Sequence, residues 1–329
     1  MRSSYSIVAA LALLGALLAG CLGAGEERVL GIDATGTVQG LVYFDSNGSR
    51  QPEEDDPPAP GVGVGLVVSG TRDTLARASS GANGLFRISR VPVGSYDVVV
   101  DSASVPDSVQ VVLIDPPDIT VSPDDSIAVS IAVSFPKLSV ADVRALPPGQ
   151  KVFVEGIALN ARETFGDLSV HLAGSSAAIR VTRVKPATIL LGDSLRFLGT
   201  TAVQNGQPTL DDATTFLIAL VEPPPAELVT VALAAAADAG RLDAALVRVD
   251  SVTVSDTATV AGDYMLTVVD ASVPPDTLHV VLDGDVGFVT APFAPDSVLD
   301  VTGLLVPVGG APPRWRLKPR SEGDLVLRR

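Results

Sequence analysis

The chain has 329 residues, 47% of them hydrophobic but only 4% aromatic. At roughly 150 residues per domain this is about two domains' worth of chain, with cores of Val, Leu, Ile and Ala. A formal charge of −15 argues against a broad phosphate-binding surface, and a single cysteine excludes a disulfide framework and any cysteine-based zinc site within one chain.

Residues 1–20 read as an export signal. Arg2 supplies a positive start, and Ile7 to Leu18 is an uncharged apolar run too short to favour a spanning helix. Leu18-Ala19-Gly20-Cys21 resembles the lipobox of bacterial lipoproteins. That resemblance implies diacylglycerol on the Cys21 thiol, cleavage before it and an acylated amino terminus, which together supply the several signals that stable membrane anchoring needs. It also implies a cell-envelope location, at the outer membrane where the cell has one, since Leu22 rather than Asp follows the cysteine. The alternative is an ordinary secretory signal with a chance cysteine. Residues 21–36 read as a short tether.

From residue 37 onward apolar residues alternate with period two and stop at Gly, Pro, Asn or Asp, which predicts strands. Val62, Val64, Leu66 and Val68 share one face, as do Tyr96, Val98 and Val100, and Val129, Ile131 and Val133 before Pro136. These belong to an all-β unit over 37–136. Asn83-Gly84 reads as a hairpin turn, with Phe86 and Tyr96 as large core residues. Three blocks, Gly40 to Gly48, Pro60 to Leu66 and Asn83 to Val98, are similar to the SdrD B-like and carboxypeptidase-regulatory-like domains, prealbumin-like β-sandwiches of surface proteins.

In the SdrD-like branch the acidic loop after the first strand binds calcium. The resemblance carries that role to Asp45 and Asn47, with Glu53, Glu54, Asp55 and Asp56 as distal carboxylates. Gly48 falls about two residues early, and Ser49, Arg50 and Gln51 stand where further ligands are expected, so a solvated acidic loop remains the alternative. Related modules braced by Lys–Asn isopeptide bonds are excluded as a precedent, because the first lysine after the signal is Lys137.

Two further units, 137–225 and 226–329, resemble each other. Leu146 to Ile157 opens one and Leu242 to Val254 the other, and Gly192-Asp-Ser-Leu-Arg-Phe-Leu-Gly199 matches Pro295-Asp-Ser-Val-Leu-Asp-Val-Thr-Gly303. Hairpins are predicted over 168–181 and 264–282, with Pro223 to Pro225 as the boundary. Ser139 and Asp142 form a helix-capping signal, and Ala232 to Ala239 reads as a short helix stopping at Gly240. The strand pattern and tail resemble bacterial extracellular OB-fold domains, five-stranded barrels. The expected fold is therefore all-β: a prealbumin-like β-sandwich followed by two OB-like β-barrels.

Nucleic acid is an unexpected partner. Single-stranded binding needs basic grooves and exposed aromatic platforms, whereas the first barrel unit carries eight basic and eight acidic groups and the second eight and fourteen. Arg314, Trp315, Arg316, Lys318 and Arg320 form the single basic-aromatic cluster. His171 and His279 occupy similar places in the two copies and are expected as partly exposed strand residues. No nucleophile–histidine–carboxylate pattern, phosphate loop or dinucleotide fingerprint is present, so no enzyme activity is expected. The reading is a non-catalytic cell-envelope lipoprotein that binds or scaffolds, held by lipidated Cys21, with an envelope protein or glycan as partner. The alternative is a glycan- or oligonucleotide-binding surface lipoprotein.

Overall fold

The computed structural model describes residues 34–308, 310 and 313–328. The segment expected as an export signal, Cys21 and most of the expected tether lie outside the described residues. Eight strands come first: β1 (Thr35–Phe44), β2 (Gly63–Val68), β3 (Thr74–Ser79), β4 (Leu85–Pro92), β5 (Gly94–Val100), β6 (Gln110–Asp115), β7 (Asp118–Val121) and β8 (Ser126–Ser134). They form two four-stranded sheets, ordered β4-β1-β8-β6 and β3-β2-β5-β7.

The period-two pattern explains the sandwich. Val38 and Val42, Val64 and Leu66, Tyr96 and Val98, and Val129, Ile131 and Val133 bury one face of each strand in a common core. Gly40 sits between Phe86 and Val129, its register partners on either side. A Cβ there would collide with the Val129 carbonyl and the Phe86 ring, so only glycine lets the three strands close up. Asn83-Gly84 does turn the chain, with Gly84 at φ +75. It does not join neighbouring strands, as a hairpin would: β3 and β4 lie in different sheets, and the turn carries the chain across the sandwich.

The first barrel comprises β9 (Lys137–Leu138), α1 (Val140–Ala145), β10 (Lys151–Ala158), β11 (Val170–Ala173), β12 (Ala178–Thr182), β13 (Asp193–Gln204) and β14 (Gln207–Leu220). The second comprises β15 (Glu227–Leu228), α2 (Val231–Ala235), β16 (Leu246–Val260), β17 (Asp263–Val269), β18 (Thr277–Leu282), β19 (Val298–Pro307), β20 (Trp315–Lys318) and β21 (Leu325–Leu327). In each, five strands close in the same order. β10 pairs with β11, β11 with β12, β12 with β14 in parallel, β14 with β13, and β13 with β10. The second circuit runs β16, β17, β18, β20, β19 and back to β16, again with one parallel junction, β18–β20. This is the five-stranded barrel of OB type.

Strand β13 alternates buried and half-buried residues over its first ten positions, as a barrel wall requires. A short helix plugs the same end of each barrel. Ser139 caps α1 by accepting the Asp142 amide at 3.1 Å, and Thr230 caps α2 by accepting the Leu233 amide at 3.3 Å. Helix α2 stops sooner than the alanine run predicts. Ala237, Asp238 and Ala239 all take positive φ, a tight left-handed turn that delivers Gly240 to the neighbouring barrel.

Candidate functional site

The acidic loop after β1 is organised around Asp45, whose side chain is fully buried. One carboxylate oxygen accepts the amides of Gly48 at 2.7 Å and Ser49 at 3.0 Å, and the other accepts the Arg50 amide at 3.0 Å. Asp56 accepts from the amide and hydroxyl of Ser46 and from the Glu53 amide. The Asn47 side-chain NH2 donates to Glu53 at 2.6 Å, while its oxygen accepts the Ser49 amide. The loop thus brings together Asp45, Asn47, Glu53 and Asp56. Glu54 and Asp55 are exposed. Both oxygens of Asp45 and of Asp56 already accept hydrogen bonds within the loop, and among the described residues no group of three His, Cys, Asp or Glu side chains is placed to hold a metal ion. To hold calcium, Asp45 and Asp56 would have to give up these hydrogen bonds.

This loop also meets the first barrel. Arg196 of β13 donates to the Asn47 carbonyl at 2.6 Å while pairing with Glu155 of β10. Lys151 stands 4.9 Å from the ring centroid of Phe135, which packs edge-on against Phe44 of the sandwich.

The two histidines part company. His279 is exposed, with Nδ1 3.4 Å from the Thr267 hydroxyl. His171, expected as partly exposed, is 1% exposed. Its Nδ1 lies 3.1 Å from the Asn160 oxygen, and its Nε2 has no hydrogen-bond partner among the described residues. The face of β11 that alternation assigns to solvent is covered here by the β10–β11 connection, whose Phe165 meets the imidazole edge-on at 6.3 Å. Burial lowers the His171 pKa to about 3, with the Arg180 charge adding to the effect.

The basic-aromatic cluster of the last strands is largely consumed internally. Trp315 is 6% exposed and its Nε1 donates to Asp243 at 2.7 Å. Lys318 pairs with Asp283 at 2.5 Å. Arg320 forms a two-pronged pair with Asp324 and donates to the Leu159 carbonyl of the first barrel at 2.9 Å. Arg316 is half-buried, and Arg314 alone of the five is exposed.

These contacts border an apolar seam between the barrels. Leu159, Phe165 and Ala178 of the first pack against Ala244, Leu246 and Leu304 of the second. Arg144, at the end of α1, reaches across with donations to the Gly240 carbonyl at 2.8 Å and the Asp243 carbonyl at 3.2 Å. Burial pushes the Asp243 carboxyl up, against the lowering pull of the Trp315 N–H and the Arg144 charge. At Gly166, with φ +67, an added Cβ would land on the Asp285 carboxylate of the second barrel. Sequence reasoning missed this seam. The signal was present in Leu246-Val247 and Leu304-Leu305-Val306, where consecutive apolar residues break the alternation because the outer wall of the barrel is buried as well as the inner.

No family model matches the chain, and no curated protein does. Among solved structures, a murine DNA-binding protein bound to double-stranded DNA is similar over 56% of this chain and 98% of its own, at 9% identity and a TM-score of 0.30. The HINa domain of Ifi202 in complex with double-stranded DNA covers 55% and 97%, at 16% identity and a TM-score of 0.29. GBS52, the minor pilin of Streptococcus agalactiae, covers 31% of this chain at 16% identity and a TM-score of 0.23, and the match spans 45% of the pilin's length. Likenesses at these scores do not bear on what the chain does.

Proposed function

We propose that the chain is a non-catalytic, lipid-anchored protein of the bacterial cell envelope that acts as a scaffolding or binding module. Cys21 is its lipid attachment point and the sandwich is of SdrD B-like type. The observation that carries the scaffolding reading is the seam between the barrels. An apolar core rimmed by Arg144, Lys318 and Arg320 joins two modules into one stiff element, and the Arg196–Asn47 contact ties the sandwich to it. A binding site on a chain of this kind is presented on a rigid β element. The oligonucleotide alternative loses support, because Lys318 and Arg320 of the basic-aromatic cluster are already paired with Asp283 and Asp324.

Metabolic labelling with a fatty acid tests the anchor. The wild-type chain is expected to take up label and to sediment with membranes, and Cys21→Ser to do neither. Equal labelling of the two would overturn the anchored reading.

A further inference from the structure

The repeat places corresponding residues of the two barrels on one map. The parallel junctions pair Arg180 with Thr209 and His279 with Arg316, so Ala178 corresponds to Thr277 and Gln207 to Arg314. The helix caps Ser139 and Thr230 align Arg144 with Ala235. In the first barrel the groove between helix α1, the start of β12 and the start of β14 is filled. The turn after α2 lies in it: Gly240 sits beside Gln207, and Arg144 binds the carbonyls of Gly240, Asp243 and Ala178.

In the second barrel no described segment fills the same groove. It is a cleft of about 650 Å³, whose wall includes Ala235, Thr277, His279, Arg314 and Trp315. Two substitutions set its chemistry. Ala235 replaces the arginine that spans the first groove, which leaves room. Arg314 replaces Gln207, which supplies a cation. Arg314 is exposed and makes no ion pair among the described residues, although Asp276 also lines the cleft.

We propose that this cleft is a docking groove for a carboxylate-bearing turn of a partner protein, seated as the Gly240–Asp243 turn is seated in the first barrel and held through Arg314. The guanidinium offers a fork that matches a carboxylate, and the alanines of α2 leave a shallow apolar floor for small side chains. A second copy of this chain is a poorer occupant. Its corresponding turn, Leu146–Gln150, carries no carboxylate, and it leads into Lys151, which is already against Phe135. The inference does not depend on the lipid anchor.

Trp315 lines the cleft and is the only tryptophan of the chain, so its fluorescence reports on occupancy. The full chain is titrated with the peptide Gly-Arg-Leu-Asp-Ala-Ala, the turn that fills the first groove, and with the same peptide carrying asparagine in place of aspartate. A saturable change is expected with the first peptide, weakened about tenfold by the asparagine peptide or by Arg314→Gln, as for loss of one charge-assisted pair. Ala235→Arg, which restores the first barrel's residue, is expected to weaken it too. No saturable change, or equal binding by the wild type and Arg314→Gln, overturns the proposal. Sedimentation showing self-association that Arg314→Gln abolishes would overturn it in favour of a second copy.

Discussion

The ammonium of Lys318, on the second barrel, stands 4.2 Å from the ring centroid of Phe165, on the first. The same ammonium pairs with Asp283, so one side chain closes the seam by a cation–π contact and an ion pair at once. Both partners of that pair are largely buried, which makes the contact sensitive to loss of either.

Removing Phe165 tests the seam directly. The side chain is 3% exposed, and Phe165→Ala is expected to cost about 3–5 kcal/mol, the range for a buried phenylalanine. Lys318→Met keeps the apolar stem but strands Asp283, and is expected to cost about 3 kcal/mol. Urea unfolding of each variant measures both. Losses below about 1 kcal/mol would mean that the barrels are coupled only weakly.

The buried imidazole predicts a pH dependence. The folded-state pKa of His171 falls from the usual 6.5 to about 3, chiefly through burial. The unfolded chain therefore takes up a proton that the folded chain refuses. The stability contributed by neutral His171 is whole above its unfolded pKa and drains away as pH falls from there toward 3, at about 1.4 kcal/mol per pH unit. His171→Gln is expected to flatten this part of the curve, measured as the urea midpoint against pH. An unchanged slope would assign the acid sensitivity to carboxylates.

Asp45 holds its loop by three amide donors. Asp45→Ala leaves those donors without their acceptor and is expected to destabilise the chain by about 2–4 kcal/mol. Because the carboxylate is already engaged, millimolar calcium is expected to leave the wild-type melting temperature unchanged. A calcium-dependent rise lost in Asp45→Ala would show that the loop rearranges into a calcium site.

Binding of a single-stranded oligonucleotide at physiological salt is expected to be undetectable at micromolar protein. Phosphate binding scales with free cations, and Lys318, Arg320, Arg144 and Arg196 are all committed to carboxylates or carbonyls within the chain. Fluorescence anisotropy with the full chain measures it. Micromolar binding abolished by Arg314→Gln would place an oligonucleotide in the open groove.

Much of the architecture is local in origin. Alternation along Val129-Ser-Ile-Ala-Val133 and along β13, together with turn residues between the runs, determines strands and their inner faces without reference to the rest of the chain. The repeated Asp-Ser motif and the Ser139 cap are likewise legible, because each acts over a few residues. The tertiary structure alone decided what each outer face meets. Nothing near His171 in sequence announces that Phe165 will fold over it, and Asn83-Gly84 looks the same whether it joins two neighbours or crosses between sheets. The cluster from Arg314 to Arg320 reads as an open basic patch, yet Asp243 takes the Trp315 N–H and Asp283 pairs with Lys318, both from distant segments, while Asp324, four residues on, pairs with Arg320. Alternation reports which side of a strand is apolar. Which barrel covers that side, and which groove stays open, depends on contacts between residues about a hundred positions apart, such as Arg144 and Asp243.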